Sequence, residues 1–237
     1  MVNSCGTTGN LTFEIMSTSV YLITGASRGL GEAIARQLHT SGENVVGVVR
    51  GKGQWPFATI RADLLSENAP DSIIRYIKEQ EFILKGWVHA AGILHKMEVG
   101  QWDGALADEM WRLHVAFPMA FMSGSLAYWE KGGHLVQLSS MSGYSGSSRF
   151  SGMSVYGATK AAQAALVESW AEELKEWGIS ANALALGAVR TDMLLQAFPG
   201  YSGGVCVEEM AAWITYFLKT GHKVMNGKIL PLALKVP

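Results

Sequence analysis

The chain has little charge, almost no cysteine and no long apolar run, and each shortage removes a class of protein. Charged residues make up 16% of its 237 residues, against roughly 25% in an average soluble domain. With a formal net charge of −1, there is no global field for nucleic acid or for an anionic membrane surface. The two cysteines, Cys5 and Cys206, are too few and too widely spaced for a disulfide framework or a metal cluster. Nothing demands an oxidising compartment, so the expected location is cytoplasmic. No stretch approaches the roughly eighteen uninterrupted apolar residues of a spanning helix, and no membrane partner is expected. The first fifteen residues, MVNSCGTTGNLTFEI, lack the basic start and apolar core of a signal peptide. They read as a flexible leader or tag before a second methionine, Met16.

What is present is apolar. Hydrophobic residues reach 49% and there are 27 glycines, which excludes a disordered chain and implies a compact domain with many tight turns. VYLIT (Val20 to Thr24) is a short β-branched run that leads into GASRGLG and then into a helix with Ile34 and Leu38 on one face, closed by Gly42. NVVGVV (Asn44 to Val49), nearly continuous in apolar character, suits a strand covered on both faces. Further strands are expected over Phe57 to Leu64, Gly86 to Gly92, His134 to Ser140, Ile179 to Gly187 and Lys228 to Leu234. Helices are expected over 71–80, Asp108 to Tyr128, Ser154 to Gly178 and 207–219. Strands alternating with helices imply parallel crossovers, hence an α/β, doubly wound parallel sheet of about seven strands, Rossmann-type, in one domain over residues 16–237. In such sheets ligands bind at the carboxyl ends of the strands.

Gly25, Gly29 and Gly31 follow the first strand with the spacing G-x-x-x-G-x-G. Glycines there let backbone amides approach a pyrophosphate, which then sits on the positive end of the helix dipole. The second strand ends in Val49-Arg50 rather than an acid, with Arg28 in the glycine loop and Lys52 nearby. Two guanidiniums suit a 2′-phosphate, which points to NADP(H); a solvated surface role for Arg50 is the alternative. Asp63, after the third strand, can accept from the adenine amino group or serve as an ordinary helix-start acid.

Tyr156 and Lys160, four apart, share one helix face. An ammonium near a phenol lowers a tyrosine pKa from roughly 10, and such a tyrosine exchanges a proton with a carbonyl or alcohol near neutral pH. Ser140 ends the fifth strand at the same rim and can hydrogen-bond the substrate oxygen.

Over nearly all of residues 18–234 the sequence resembles the short-chain dehydrogenase/reductase family. TGASRGLG (Thr24 to Gly31) looks like the cofactor loop, ADL (Ala62 to Leu64) the adenine-side motif and HAAG (His89 to Gly92) the N-N-A-G segment. SSMSG holds the active-site serine, best matched by Ser140, and YGATK supplies Tyr156 and Lys160. LGAVRTDM (Leu186 to Met193) resembles the stretch beside the nicotinamide, with Val189 and Thr191 against its carboxamide. The resemblance implies hydride transfer at nicotinamide C4, Tyr156 as acid/base, and Lys160 also on the nicotinamide ribose. It places Ser27, Leu30, Leu64, Ala91 and Gly92 among the cofactor contacts. The compact length and NGKIL ending look most like small carbonyl reductases of the sepiapterin and benzil kind. His114 stands where the family has a helix asparagine that supports a water on the proton relay; it can hold or pass a proton, or be an ordinary helix histidine. Leu186 replaces a proline, and His89-Ala90 replace two asparagines, with the expected loss of hydrogen bonds that brace neighbouring strands.

Met141, Tyr144, Phe150, Met153 and Met193 to Tyr201 are candidate walls for a carbonyl or alcohol substrate, apolar enough to favour a hydrophobic ketone or aldehyde. The readings are an NADPH-dependent carbonyl reductase, a reductase of carrier-bound 3-oxoacyl thioesters, and a dinucleotide-binding regulatory protein without turnover. The resemblance also implies a homodimer or homotetramer, with Trp111, Met119, Phe121, Trp170 and Trp177 as interface or core residues.

Overall fold

Val45–Val49 is buried along its whole length, because it lies inside a sheet with helices on both faces. The computed structural model describes residues 17–234; the expected leader over 1–15 lies outside the described residues. In chain order the strands are β1 Thr18–Thr24, β2 Val45–Val49, β3 Ala58–Arg61, β4 Phe82–His89, β5 Trp129–Ser140, β6 Ser180–Leu186 and β7 Ile229–Leu232. The helices are α1 Gly29–Thr40, α2 Ala69–Glu79, α3 Gly104–Trp111, α4 Phe117–Ser125, α5 Ser154–Glu173, α6 Asp192–Ala197 and α7 Val207–Thr220. The seven strands run in the order β3-β2-β1-β4-β5-β6-β7, all parallel. This is the doubly wound α/β sheet expected from the sequence. The winding reverses between β1 and β4, and a crevice opens there at the carboxyl ends of the strands.

Alternation along the strands divides the core in two. On one face Leu22, Trp87 and Leu135 meet Ile73 of α2, Phe121 of α4, and Val167 and Trp170 of α5. On the other, Ile23, Val88 and Val136 meet Ile34 and Leu38 of α1, and Ile214 and Phe217 of α7. Each such side chain contributes roughly 1.5–3 kcal/mol by leaving water. Phe121 and Trp170 are thus core residues rather than interface candidates, whereas Trp111, Met119 and Trp177 are about half exposed, at 50%, 48% and 47%.

The boundaries shift for identifiable reasons. α3 starts before Asp108 because Asp103 caps it, its carboxylate accepting from the Ala105 and Leu106 N–H groups at 2.9 and 3.1 Å. β3 stops at Arg61 because Asp63 turns the chain, accepting from the Leu65 N–H at 3.1 Å. The single helix expected over 108–128 is three pieces: α3, a π turn over Arg112–Ala116, and α4. Proline at 118 has no N–H to give to the His114 carbonyl, and the Phe117 N–H bonds the Arg112 carbonyl instead of that of Leu113. Among the described residues, no helix is long and apolar enough to cross a membrane.

Candidate active site

The glycine loop turns tightly against the next strand. Gly25 has φ +77°, and a Cβ there would lie 2.7 Å from the Ala91 backbone. A Cβ on Gly31 would lie 2.3 Å from the Gly25 carbonyl oxygen. The loop is therefore a backbone-only surface. The first N–H groups of a helix have no intrahelical acceptors; Arg28, at the N-cap of α1, makes no side-chain cap to them, and Gly29, Leu30 and Gly31 line the cleft.

That cleft has a cavity of about 340 Å³, walled at one end by Gly25, Ser27, Arg28, Gly29, Leu30 and Gly31. Arg50, Asp63 and Leu64 extend this wall along the adenine-side rim. Ala91 and Gly92 follow β4, and Val189 and Thr191 follow β6. Every cofactor residue expected from the sequence thus reaches one continuous wall; Lys52 stands outside it. The structure adds two details. Arg61 Nε donates to the Arg50 carbonyl at 3.3 Å, bringing a third arginine to that corner. Arg28 lies 3.8 Å from Asp192 across the cleft, both side chains exposed.

Ser140, Tyr156 and Lys160 meet at the other end. Ser140 Oγ accepts from the Ser142 N–H at 3.1 Å, which leaves its hydroxyl proton to donate. The nearby Ser140 hydroxyl pulls the Tyr156 phenol pKa down. Burial acts more strongly in the opposite direction and pushes Tyr156 up to about 12. Burial also drives Lys160 down to about 7. The acidification of Tyr156 expected from its neighbour is therefore not a property of the protein alone. Lys160 Nζ stands 5.8 Å from the phenol ring centroid and donates to the Leu138 carbonyl and Gln163 Oε1, each at 2.9 Å.

His114 lies beside this group, with its ring edge-on to Tyr156 at 5.8 Å. Thr159 Oγ1 donates to the Tyr156 carbonyl at 2.9 Å, so it accepts from His114 Nδ1–H, also at 2.9 Å. His114 Nε2 then accepts from the Ile93 N–H at 3.2 Å. Both ring nitrogens are committed, and burial with the Lys160 charge holds the pKa well below the usual imidazole value. In this structure His114 braces the segment after β4 against α5 through these two bonds.

His89 also departs from expectation. Its Nε2 donates to the Leu113 carbonyl at 3.1 Å, the group freed by the π turn, and its Nδ1 accepts from Thr24 Oγ1 at 2.8 Å. The bracing thought lost with the asparagines is supplied by this imidazole.

Met141, Phe150, Met153, Met193, Leu194 and Phe198 line the substrate end, with Phe150 edge-on to Phe198 at 5.2 Å. Tyr144 and Tyr201, also expected there, are not part of the wall. α6, unexpected from the sequence, presents Leu194 and Ala197. Thr191 caps it by accepting from the Leu194 N–H at 3.4 Å.

The short chain dehydrogenase family model matches residues 19–201, and the chain belongs to that family. A 3-oxoacyl-[acyl-carrier-protein] reductase of Staphylococcus aureus is 31% identical over 74% of this chain and 76% of its own length. A 1-hydroxy-2-glutathionyl-2-methyl-3-butene dehydrogenase of a Rhodococcus species is 27% identical over 82% of this chain and 88% of its own. A short chain dehydrogenase from Burkholderia cenocepacia, solved in complex with NADP, superposes with a TM-score of 0.79 at 22% identity, covering 90% of this chain and 95% of that one. The fold and the oxidoreductase family are thereby fixed.

Proposed function

We propose that the chain is an NADPH-dependent reductase that converts a small hydrophobic ketone or aldehyde to an alcohol. The observation that carries this reading is the meeting of Ser140, Tyr156 and Lys160 at the apolar end of a cleft whose other end is a glycine-walled helix N-terminus. The backbone surface around Gly25 and Gly31 and the donor set of α1 fit a dinucleotide pyrophosphate. Arg28 and Arg50 fit a 2′-phosphate, a reading that the NADP complex of the Burkholderia structure supports at the level of the family.

When bound, the nicotinamide coenzyme supplies the hydride. Tyr156, protonated at neutral pH, gives its phenolic proton to the carbonyl oxygen. Ser140 donates to that same oxygen and orients it. The cation of Lys160 offsets the phenolate left behind and holds the nicotinamide ribose. The loop over 141–153 is pinned by Arg149, whose Nη1 donates to the Ser142 carbonyl at 2.6 Å, so the apolar wall is largely preformed. The likeness to sepiapterin and benzil reductases belongs to this same reading.

A second reading, reduction of carrier-bound 3-oxoacyl thioesters, is favoured by the Staphylococcus aureus relative and by Lys96, whose ammonium lies 4.5 Å from the Phe198 ring centroid. Exposed Trp111, Met119 and Trp177 support a homodimer or homotetramer. Purified protein is expected to oxidise NADPH with hydrophobic ketones, and Tyr156→Phe to lower kcat by about 10²–10⁴-fold. Unchanged turnover in that variant defeats the mechanism; turnover of acyl thioesters but not of free ketones selects the second reading.

A further inference from the structure

Three residues beyond Lys160, α5 carries Gln163 on its inner face, fully buried. Its Oε1 accepts from Lys160 Nζ at 2.9 Å and its Nε2 donates to Gln137 Oε1 at 3.2 Å. Gln137, in the middle of β5, is also fully buried, and its own Nε2 has no partner among the described residues. Burying two amides, one of them incompletely bonded, is costly where two leucines would fill the same space. What the pair does is fix an ammonium. Lys160 has three N–H donors; Leu138 O and Gln163 Oε1 hold two of them. The third is left for the cleft, where a Cβ built on Gly92 would lie 3.6 Å from Nζ.

We propose that Gln163, steadied by Gln137, is a positioning residue that aims Lys160 into the coenzyme cleft. The proposal rests on the reductase reading for its kinetic consequence but not for its effect on binding. Gln163 touches neither substrate nor coenzyme; it acts by denying Lys160 other rotamers, so that the remaining N–H meets the ribose and the phenol side of the cleft.

The test separates aim from packing. Gln163→Leu strands both the Gln137 amide and one Lys160 N–H, whereas the double variant Gln137→Leu/Gln163→Leu removes both amides together and leaves only that Lys160 N–H without its acceptor. Thermal midpoint, NADPH affinity by fluorescence titration, and kcat and KM with a ketone are measured for each. The single variant is expected to lose thermal stability and the double to regain the part owed to the stranded Gln137 amide. Both are expected to lose roughly 10–100-fold in kcat, as for a misplaced catalytic group, with the ketone KM unchanged. Both are also expected to bind NADPH about threefold or more weakly, the value of one lost hydrogen bond. Gln163→Glu keeps an oxygen against Nζ and is expected to retain NADPH affinity, which keeps the test decisive should the double variant not fold. Recovery of kcat and NADPH affinity along with the thermal midpoint in the double variant overturns the proposal, as does a Glu variant as weak as Leu. If the wild type reduces no carbonyl, the reductase reading fails while the NADPH affinities still decide this one.

Discussion

His114 Nδ1 lies 2.9 Å from Thr159 Oγ1, and the threonine proton is committed to the carbonyl of Tyr156. The imidazole thereby ties the segment after β4 to the helix turn that carries the phenol, through its second bond to the Ile93 N–H. An asparagine can reproduce one donor and one acceptor on a shorter arm. His114→Asn is therefore expected to retain kcat within about threefold and to leave the pH profile between 5 and 7 unaltered. His114→Ala orphans the Ile93 N–H and is expected to cost about 1–3 kcal/mol in urea unfolding. Loss of an ionisation from the wild-type profile in the asparagine variant would restore a relay role.

Coenzyme choice should follow Arg50 and, more weakly, the pairing of Arg28. Removing a guanidinium that binds a phosphate costs about 1.5–3 kcal/mol. Arg50→Ala is expected to raise the KM for NADPH by roughly 10–100-fold and to leave the value for NADH nearly unchanged. The Arg28–Asp192 pair is exposed and worth at most about 1 kcal/mol. Asp192→Asn, by freeing Arg28, should tighten NADPH by no more than about fivefold. Steady-state kinetics with both coenzymes decide the matter; equal losses for NADPH and NADH in Arg50→Ala would place the 2′-phosphate elsewhere.

Features set by local sequence were the ones legible in it. β1 and β2 are apolar runs because both faces of a parallel strand are buried, and Tyr156 and Lys160 share a face because they are one turn apart. What the sequence hid depends on distant partners. The pKa of Tyr156 rises because burial strips water from the phenolate, a property of the packed cleft. The π turn at Arg112–Ala116 follows from a proline two residues beyond it, and the freed Leu113 carbonyl finds His89 only once β4 is in place. Gln137 and Gln163 lie on different elements, and nothing in either segment announces the other. α6 spans only six residues, too few for a helical period to show in DMLLQA.

Acid should destabilise the fold through its buried histidines. Burial lowers His89 to about 3 and His134 to about 4 from 6.5, and lowers His114 too. Above pH 6.5 the unfolded chain binds no extra protons and stability is intact. As pH falls below that, the unfolded imidazoles protonate while the folded ones do not, so stability falls progressively toward the folded values. Each contributes on the order of 1 kcal/mol per pH unit. Urea unfolding is expected to give a clearly smaller free energy at pH 5 than at pH 7. His134→Gln, which removes one ring held by the Leu218 carbonyl, should flatten that slope. Equal stability at the two pH values would mean that these rings are charged in the fold.

Coenzyme binding should take up a proton on the alkaline side. In the protein alone burial holds Lys160 near 7, so at pH 8 the amine is largely neutral, and at pH 6 largely charged. An anionic dinucleotide in the same cleft favours the ammonium and raises its pKa. Binding at pH 8 therefore draws a fraction of a proton from the buffer, and binding at pH 6 draws almost none. Calorimetric titration with NADPH in Tris and in phosphate reads this as an enthalpy difference between buffers at pH 8 that vanishes at pH 6. Lys160→Met should abolish the difference while weakening affinity. A buffer-independent enthalpy at pH 8 would show that Lys160 is already charged before the coenzyme arrives, and that its burial does not control its protonation.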